Sequence, residues 1–270
     1  MSFIHASAVI APGARIAPDV KIGPFCVVGA DCELEAGVEL VSHAVIDGRT
    51  TLRQGVRVMP YASVGLAPQD MKYDGRPTGV EVGARSLLRE HVTIHRGSMG
   101  GDGMTRVGAD CLLMACSHVG HDCTVADRVI LANNVMLGGH VRVGEQVFIG
   151  GGAAIHQLVR IGRHAMVGGL AGVTNDVPPF ANVFGLPARL VGLNVIGLRR
   201  RGFQKENLAA LRLAFRLLFK EAGTFAEKMT EARSRHAGDA LVEEVLDFIA
   251  SPERKREMVR PGRMAEEDEA

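Results

Sequence analysis

Aliphatic residues recur every six positions along most of the chain. One series runs from Ile4 to Val64 without a gap and resumes in the same phase over positions 82–94. A second series, one residue out of phase, runs from Val107 to Val173. A period of six matches neither an α-helix nor a simple strand alternation. It favours a short strand followed by a bend, with one large side chain and one small side chain pointing inward.

Three such units would close one triangular coil of eighteen residues, and the sequence contains 26 units. Successive coils would stack through parallel strand pairing at about 4.8 Å, which gives a prism about 40 Å long. Because each coil buries its inward side chains only against its neighbours, many coils in a row are needed for a stable core. The pattern therefore predicts an all-β solenoid, a parallel β-helix, over residues 1–190.

The six-residue pattern stops after Pro179, and from about Gln204 the period becomes helical. Thr224 with Glu227 three residues later predicts a capping box at the start of a second helix, and Asp239 predicts the N-cap of a third. The apolar face of the first predicted helix consists of Leu208, Leu211, Phe215, Leu218 and Phe219. We therefore expect a smaller α-helical domain over residues 191–270.

Composition sharpens this picture and excludes several classes of function. Glycine accounts for 33 of 270 residues, aromatic residues for 4%, and tryptophan is absent, as a narrow repeated core requires. The net charge of +1 gives no strong field toward nucleic acid or membrane. No signal peptide or membrane span is predicted, and the five cysteines are expected to be free, buried thiols in a reducing cytoplasm. The charged residues 253–270 are expected to form a mobile tail.

Two segments interrupt the six-residue pattern, near residues 70–81 and 98–106. Counting units around the coil assigns one face to Val64, Ile94, Val119, Leu137 and Ile155, in successive coils. Both segments should then leave the β-helix as loops at one corner, above the units that carry His121 and His140. Loops that interrupt a solenoid commonly lie on its functional face.

Residues eighteen positions apart should stack at this corner. The stacked columns contain His121, Gly139 and Gln157, then Asp122 and His140, then Gly120, Gly138 and His156. Glycine leaves backbone N–H groups accessible because it has no side chain. A base beside accessible backbone donors suits acyl transfer, in which one group removes a proton and another stabilises an oxyanion.

Other interpretations of the histidines are weaker. His5, His43 and His164 occupy what look like ordinary surface positions of the repeat. His118 and His121 are poorly spaced for a metal pair, and a metal hydratase like the γ-class carbonic anhydrases would need a third matched histidine. A structural or ice-binding solenoid would need flat faces of repeated threonine, and neither loops nor a histidine column. We expect no metal site.

Longer motifs carry a resemblance to a known family. They are QDMKY (69–73), VTIHRG (92–97), HVGHDCTV (118–125), LANN (131–134), GGH (138–140), HQ (156–157), DVPP (176–179) and GLRRRGF (197–203). Through them the whole chain resembles the bacterial UDP-N-acetylglucosamine O-acyltransferases, which carry out the first step of lipid A synthesis. The resemblance implies left-handed coils and a homotrimer with active sites between neighbouring prisms. It also implies a donor, an (R)-3-hydroxyacyl chain on the phosphopantetheine of an acidic acyl carrier protein, and no metal or redox cofactor.

The resemblance also implies roles for individual residues. His121 would be the general base, Asp122 would orient its imidazole, and the Gly139 N–H would stabilise the oxyanion. The positions implied to contact substrates are Gln69, Asp70, Lys72, His118, His140, His156, Gln157, Asn194, Arg200 and Arg201. Judged from the residues alone, the arginines at 199–201 fit the solvated start of a helix equally well.

Two departures from the family leave the acceptor open. Pro187 and Ile196 stand where the family usually has a histidine and a glutamate. The acceptor could therefore be UDP-N-acetylglucosamine or an analogue with an amine at position 3, which would give an amide. Gly169 occupies the position that caps the acyl pocket, and its small size implies a long chain, near myristoyl length. The related N-acyltransferase of the same pathway carries an extra N-terminal domain, whereas here the repeat begins at Ile4.

Overall fold

The computed structural model describes residues 3–262. Each of the 26 predicted units forms a short strand, so the six-residue period is confirmed throughout its length. The strands form three parallel sheets, one on each side of a triangular prism, and the coils wind with a left hand. In the two-residue strands from Lys21–Ile22 onward the second side chain is buried in the core, as Ile22 and Leu40 are.

Sheet A contains β1 (Phe3–Ile4), β4 (Lys21–Ile22), β7 (Glu39–Leu40), β10 (Arg57–Val58), β13 (Leu87–Leu88), β16 (Leu112–Leu113), β19 (Ile130–Leu131), β22 (Phe148–Ile149), β25 (Met166–Val167), β27 (Ala181–Phe184) and β28 (Arg189–Leu193). Sheet B contains β2 (Val9–Ile10), β5 (Val27–Val28), β8 (Val45–Ile46), β11 (Ser63–Leu66), β14 (Thr93–His95), β17 (His118–Val119), β20 (Met136–Leu137), β23 (Ala154–Ile155) and β26 (Gly172–Val173). Sheet C contains β3 (Arg15–Ile16), β6 (Glu33–Leu34), β9 (Arg49–Leu52), β12 (Gly79–Val82), β15 (Met104–Val107), β18 (Thr124–Val125), β21 (Arg142–Val143) and β24 (Arg160–Ile161).

The register of sheet B confirms the predicted face. Val64 pairs with Ile94, Ile94 with Val119, Val119 with Leu137, and Leu137 with Ile155. The corner between sheets B and C, which we call the BC corner, therefore carries the stacked columns predicted from the eighteen-residue repeat. The corner between sheets A and B is called the AB corner.

Both interrupting loops are present, but each begins two or three residues earlier and ends three residues earlier than predicted. The first loop covers residues 67–78, because Gly79–Val82 is already a strand that pairs with β9 and β15. The second loop covers residues 96–103, because Met104–Val107 pairs with β12. In both cases the returning strand is longer than two residues, so its first residues lie ahead of the aliphatic position that marks the repeat.

An antiparallel hairpin follows the last coil and was not predicted. β27 continues sheet A in parallel, and β28 returns antiparallel to it. Phe180, at the start of this hairpin, is fully buried and stacks on His164 with ring centroids 5.9 Å apart. His164 is thus buried beneath the end of the prism and is not the surface residue that the repeat suggested.

Four helices complete the described chain: α1 (Val195–Arg200), α2 (Lys205–Phe219), α3 (Phe225–Arg235) and α4 (Ala240–Ala250). The predicted apolar face of α2 is buried, the Thr224–Glu227 capping box begins α3, and Asp239 caps α4. The short helix α1 was missed because it has too few residues to display a period. No helix in residues 3–262 is long and apolar enough to cross a membrane.

The C-terminal segment is attached to the prism, contrary to the expected tail. Met258 forms a β-bridge with Asp176, Pro261 forms one with Leu190, and Val259 is 3% exposed. Backbone bridges of this kind are not visible in a charge-rich sequence, which explains the wrong prediction for residues 253–262. The rest of the predicted tail, residues 263–270, lies outside the described residues.

The cysteines mostly behave as predicted. All five are free, and four of them lie in the core of the coils, at positions 26, 32, 111 and 123. Burial raises the pKa of the Cys123 thiol to about 12, so this side chain acts as a small hydrophobe. Cys116 differs from the prediction, because it lies exposed at the AB corner.

Candidate active site

A cavity of about 750 Å³ opens along sheet B and the BC corner. Its wall includes Gln69, His95, His118, His121, Gly138, Gly139, His156 and Gln157. The parallel register brings these residues together from four successive coils, and the first interrupting loop adds Gln69 at the rim. Four glycines line the cavity, and three of them, Gly120, Gly138 and Gly139, leave the backbone reachable where the imidazoles converge.

His121 and Asp122 form a carboxylate–imidazole pair at the centre of this cavity. Nδ1 of His121 lies 2.8 Å from Oδ2 of Asp122, and the Asp122 side chain is only 4% exposed. Since an ionised carboxylate can only accept, Nδ1 carries the proton and Nε2 keeps its lone pair for a substrate. Asp122 is held in a left-handed corner with a φ of 58°, where its backbone N–H donates to Thr105 Oγ1.

Gly139 lies directly against the reactive edge of the His121 ring. A Cβ added at Gly139 would lie 2.5 Å from Nε2 and from Cε1 of His121, so no side chain fits there. Among the hydrogen bonds of the described residues, none uses the Gly139 N–H as donor. The unprotonated Nε2 of an imidazole and an unpaired backbone donor are therefore adjacent, an arrangement that suits a tetrahedral acyl-transfer intermediate.

The two loops are tied to this pair through Ser98, which the sequence did not single out. The Ser98 N–H donates to Asp122 Oδ2 at 2.9 Å, and its hydroxyl donates to Asp70 Oδ2 at 2.6 Å. The hydrogen bond from Ser98, followed by one from the Lys72 N–H, lowers the pKa of Asp70. The Lys72 side chain itself is exposed on the first loop. Ser98 thus links the loop that carries Asp70 to the carboxylate that holds His121.

Arg96 anchors the first loop from below and was also missed. Its Nε donates to the Tyr73 hydroxyl at 3.2 Å, and its Nη1 donates to the Gly65 carbonyl at 3.0 Å. The guanidinium also lies 3.6 Å from a carboxylate oxygen of Asp47. Both Arg96 and Ser98 follow a strand end that enters the second loop, which was the available signal for a functional position.

The imidazole rings of His95 and His118 form the upper wall of the cavity. Nδ1 of His118 lies 2.7 Å from the Thr93 hydroxyl, and its ring meets His95 edge-on at 4.9 Å. Burial, followed by the nearby His95 and His121, lowers the pKa of His118 to about 4. Burial also lowers the pKa of His95. These two rings are therefore neutral near pH 7 and serve as hydrogen-bonding groups without charge.

His140 lies one coil below Asp122. Its ring meets His121 edge-on with centroids 5.1 Å apart, and its Nε2 is 3.8 Å from Asp122 Oδ2. The ligand atoms of His121, Asp122 and His140 lie within 4.8 Å of one another, close enough to be considered as a metal-ligand set. Asp122 Oδ2 is already occupied by donors from His121 and Ser98, so this oxygen would have to exchange both contacts to bind a cation.

The remaining candidate residues lie away from this cavity within one chain. Asn194 caps α1 by accepting from the Gly197 N–H, and its amide donates to the His164 carbonyl, so the side chain is committed to the fold. Arg200 and Arg201 lie at the end of α1, where Arg201 donates to the Gln146 carbonyl. Gly169 is exposed at the AB corner. A Cβ added at this residue would lie 3.2 Å from the carbonyl oxygen of Gly151.

Comparison with known proteins shows which family the chain resembles. The model for the second domain of UDP-N-acetylglucosamine O-acyltransferases matches residues 176–258, and the model for bacterial transferase hexapeptide repeats matches residues 13–48 and 104–139. A curated relative from Caulobacter vibrioides, acyl-[acyl-carrier-protein]–UDP-N-acetylglucosamine O-acyltransferase, is 50% identical over 91% of this chain and 94% of its own length.

Solved structures extend the similarity to the whole fold. The UDP-N-acetylglucosamine O-acyltransferase of Moraxella catarrhalis is 37% identical with a TM-score of 0.91, over 95% of this chain and 99% of its own. The UDP-N-acetylglucosamine acyltransferase of Francisella novicida is 32% identical with a TM-score of 0.92, over 96% and 94%.

Stacked hexapeptide coils, with a carboxylate-bound imidazole facing bare backbone in a surface cleft, define an acyltransferase of the hexapeptide-repeat class. Sequence identity over nearly the whole length then narrows the class. The chain belongs to the family of UDP-N-acetylglucosamine O-acyltransferases.

Proposed function

We propose that the protein transfers an (R)-3-hydroxyacyl chain from acyl carrier protein to the 3-position of the glucosamine ring of UDP-N-acetylglucosamine, the first step of lipid A biosynthesis. The observation that carries the proposal is the contact of His121 with Asp122 on one side and with Gly139 on the other. The substrates are inferred from the family, and the mechanism is inferred from these contacts of His121.

In the proposed step, Nε2 of His121 removes the proton from the 3-hydroxyl of the sugar. The resulting oxygen nucleophile attacks the thioester carbon, and the new oxyanion accepts a hydrogen bond from the Gly139 N–H. The carbon–sulfur bond then breaks, and the phosphopantetheine thiolate takes the proton back from His121. Asp122 stabilises the intermediate imidazolium and keeps the ring in the tautomer that the first proton transfer requires.

Substrate binding is assigned to groups around this centre. Gln69, Asp70 and Lys72 on the first loop would contact the sugar or the acyl donor. His118, His140, His156 and Gln157 would supply hydrogen bonds along the cleft, and neutral imidazoles such as His118 suit uncharged sugar and amide groups. No metal or redox cofactor is part of the proposed reaction. Zinc measured at one equivalent per chain, with loss of activity on its removal, would instead favour a metal hydratase.

A homotrimer is part of this proposal. The outward residues of sheet C are mostly charged, whereas those of sheet B begin with Val9, Val27 and Val45 and those of the lower part of sheet A are Leu87, Leu112, Ile130, Phe148 and Met166. Apolar stretches on two sides and a charged third side fit three prisms packed around a central axis. Such packing would also bring Asn194, Arg200 and Arg201 toward a cleft between subunits, where the arginines could meet nucleotide phosphates or the acidic carrier.

We propose a cytoplasmic location, which the free thiols support.

A second acceptor follows from Ile196. This residue is 68% exposed in the first turn of α1, where the family usually has a glutamate. The absence of this carboxylate fits an acceptor with an amine at position 3 of the sugar. His121 would then remove a proton from the attacking nitrogen, and the product would be an amide.

The test of the proposed function is a single assay with both acceptors and with hydroxyacyl carriers of several lengths. We expect transfer to UDP-N-acetylglucosamine or to its 3-amino analogue. We also expect a preference for chains near myristoyl length, because the small Gly169 occupies the position that caps the acyl pocket in the family. Gly169→Met should shift the preference to shorter chains. A clear preference of the unaltered enzyme for a decanoyl donor would exclude the proposed role of Gly169, and no transfer to either acceptor would exclude the proposed function.

A further inference from the structure

Arg256, in the C-terminal segment, reaches the floor of the active-site cavity. Its Nε donates to the Gln157 carbonyl at 3.1 Å, and its Nη2 lies 2.7 Å from Nδ1 of His156. Both residues line the cavity one coil below Gly138 and Gly139. One guanidinium therefore holds two neighbouring residues of the site with two of its N–H groups, across 100 positions of sequence.

This contact determines which nitrogen of His156 carries the proton. A guanidinium has only donors, so Nδ1 of His156 must be the accepting, unprotonated nitrogen. Nδ1 also lies 3.2 Å from the Gln157 carbonyl, a contact that would need a proton on Nδ1. That carbonyl already accepts from Nε of Arg256, which favours the first arrangement. The neutral ring then carries its proton on Nε2, on the side of the ring away from Arg256.

The backbone around Arg256 is fixed by the last coil of the prism. The Asp176 N–H donates to the Glu257 carbonyl, and the Val259 N–H donates to the Asp176 carbonyl, both at 2.8 Å. The Asp176 side chain is fully buried and accepts from the backbone and from Nε of Arg160, each at 2.8 Å. Arg256 is therefore presented to the cavity from a rigid support, unlike an arginine on a free chain end.

We propose that Arg256 is a positioning residue of the transferase. It holds His156 in the Nε2-protonated tautomer, so that this ring donates a hydrogen bond to an oxygen of a bound substrate. The kinetic part of the inference rests on the proposed function, whereas the tautomer is a property of the free protein and can be measured without any substrate.

The first experiment is nitrogen-15 NMR of the histidine side chains in the full-length protein. His156→Gln identifies the His156 signals by their loss. The unaltered protein should show an unprotonated, hydrogen-bonded Nδ1 and a protonated Nε2. Arg256→Met, which keeps the aliphatic stem but removes the donors, should give a mixture of tautomers. Arg260→Gln is the matched control from the same segment and should leave the pattern unchanged. A protonated Nδ1 in the unaltered protein, or an unchanged pattern in Arg256→Met, overturns the proposal.

The second experiment measures the consequence for catalysis. Arg256→Met should raise KM for at least one substrate about tenfold while kcat changes less than about threefold. Arg256→Lys keeps the charge but cannot donate to both residues in the geometry of a guanidinium. Its KM should lie between those of the unaltered enzyme and Arg256→Met. In the His156→Gln background, Arg256→Met should have almost no further effect, because the interaction it supports is already gone.

The outcomes distinguish failure of the proposed role of Arg256 from failure of the proposed function. Additive effects of Arg256→Met and His156→Gln, together with a lower thermal midpoint, would indicate a purely structural arginine and contradict the proposal. An unaltered protein that transfers nothing to a UDP-sugar would contradict the proposed function, while the NMR result would still decide whether Arg256 sets the His156 tautomer.

Discussion

Two corners of the same prism carry neighbouring rings, and only one of them is built as a candidate site. At the AB corner, Phe25, His43, Tyr61 and His91 all adopt a φ between 52° and 63° and stack with centroids 4.9 to 5.1 Å apart. At the BC corner, the rings of His121 and His140 are also 5.1 Å apart. Rings about 5 Å apart are thus a general product of stacked coils and do not by themselves identify catalytic chemistry.

What distinguishes the BC corner is the surroundings of its imidazoles. Asp122 is buried against His121 under the second loop, and glycines occupy the positions beside and below the ring. His43 instead lies between two aromatic rings, with no ion-pair partner among residues 3–262. The BC corner thus has a carboxylate, a bare backbone donor and a covering loop, which together make a candidate site. At the AB corner the aromatic neighbours make the ring column a packing element.

The sharpest test of this comparison removes one imidazole from each corner. His121→Ala should lower kcat/KM at least about thousandfold, since it deletes the proposed general base. His43→Ala should change kcat/KM by less than about twofold. Circular dichroism and the oligomeric size should be unchanged in both variants. A His121→Ala enzyme that keeps a tenth of its activity would mean that another group accepts the proton.

A smaller effect is expected from a methyl group at equivalent glycines of the two corners. In Gly139→Ala the added Cβ would lie 2.5 Å from Nε2 of His121, so the ring must move away from the N–H beside it. We expect kcat to fall about a hundredfold. In Gly151→Ala, at the AB corner, the Cβ meets only the Asn133 carbonyl at 3.2 Å, and kcat should change less than about threefold. Equal losses in steady-state assays of both variants would contradict the distinction.

The smallest effect is a dependence of stability on pH, and it involves His164, which is buried at the third corner, between sheets C and A. Burial, followed by Arg163, lowers the pKa of His164 to about 4, and that of His118 is also about 4. Between about pH 6.5 and pH 4 the unfolded chain binds protons that the folded chain excludes, so stability falls as the pH falls through this window. The thermal midpoint should drop by about 5 °C between pH 7 and pH 5. His164→Gln should reduce that drop by about half; an unchanged slope would exclude His164 as a contributor.

Regular parts of the molecule could be predicted because the repeat converts sequence distance into spatial distance. Eighteen positions along the chain correspond to one step between coils, so the proximity of His121 and Gly139 follows from counting. The same arithmetic fails wherever the chain leaves the coil. Ser98 meets Asp122 across 24 positions and Arg256 meets His156 across 100, and in neither case does a period connect the two residues.

Resemblance to a family predicted which family the chain belongs to better than it predicted the contacts of individual residues. Asn194 was expected in the cleft, yet in the single chain its amide caps α1 and holds the His164 carbonyl. A motif records that a residue matters, whereas only the packing shows which contacts it makes within one subunit. Contact of Asn194 with a substrate stays a prediction.

The bridge between Asp176 and Met258 has a consequence for the order in which the enzyme is made. A solenoid can form coil by coil as the ribosome releases it, because each repeat needs only its neighbour. His121, Asp122 and Gly139 would come together early in synthesis, while the guanidinium that supports His156 is translated 100 residues after that histidine. A nascent chain would thus hold a folded but incompletely ordered cleft until its C-terminal segment docks, and truncated products would be folded and poorly active.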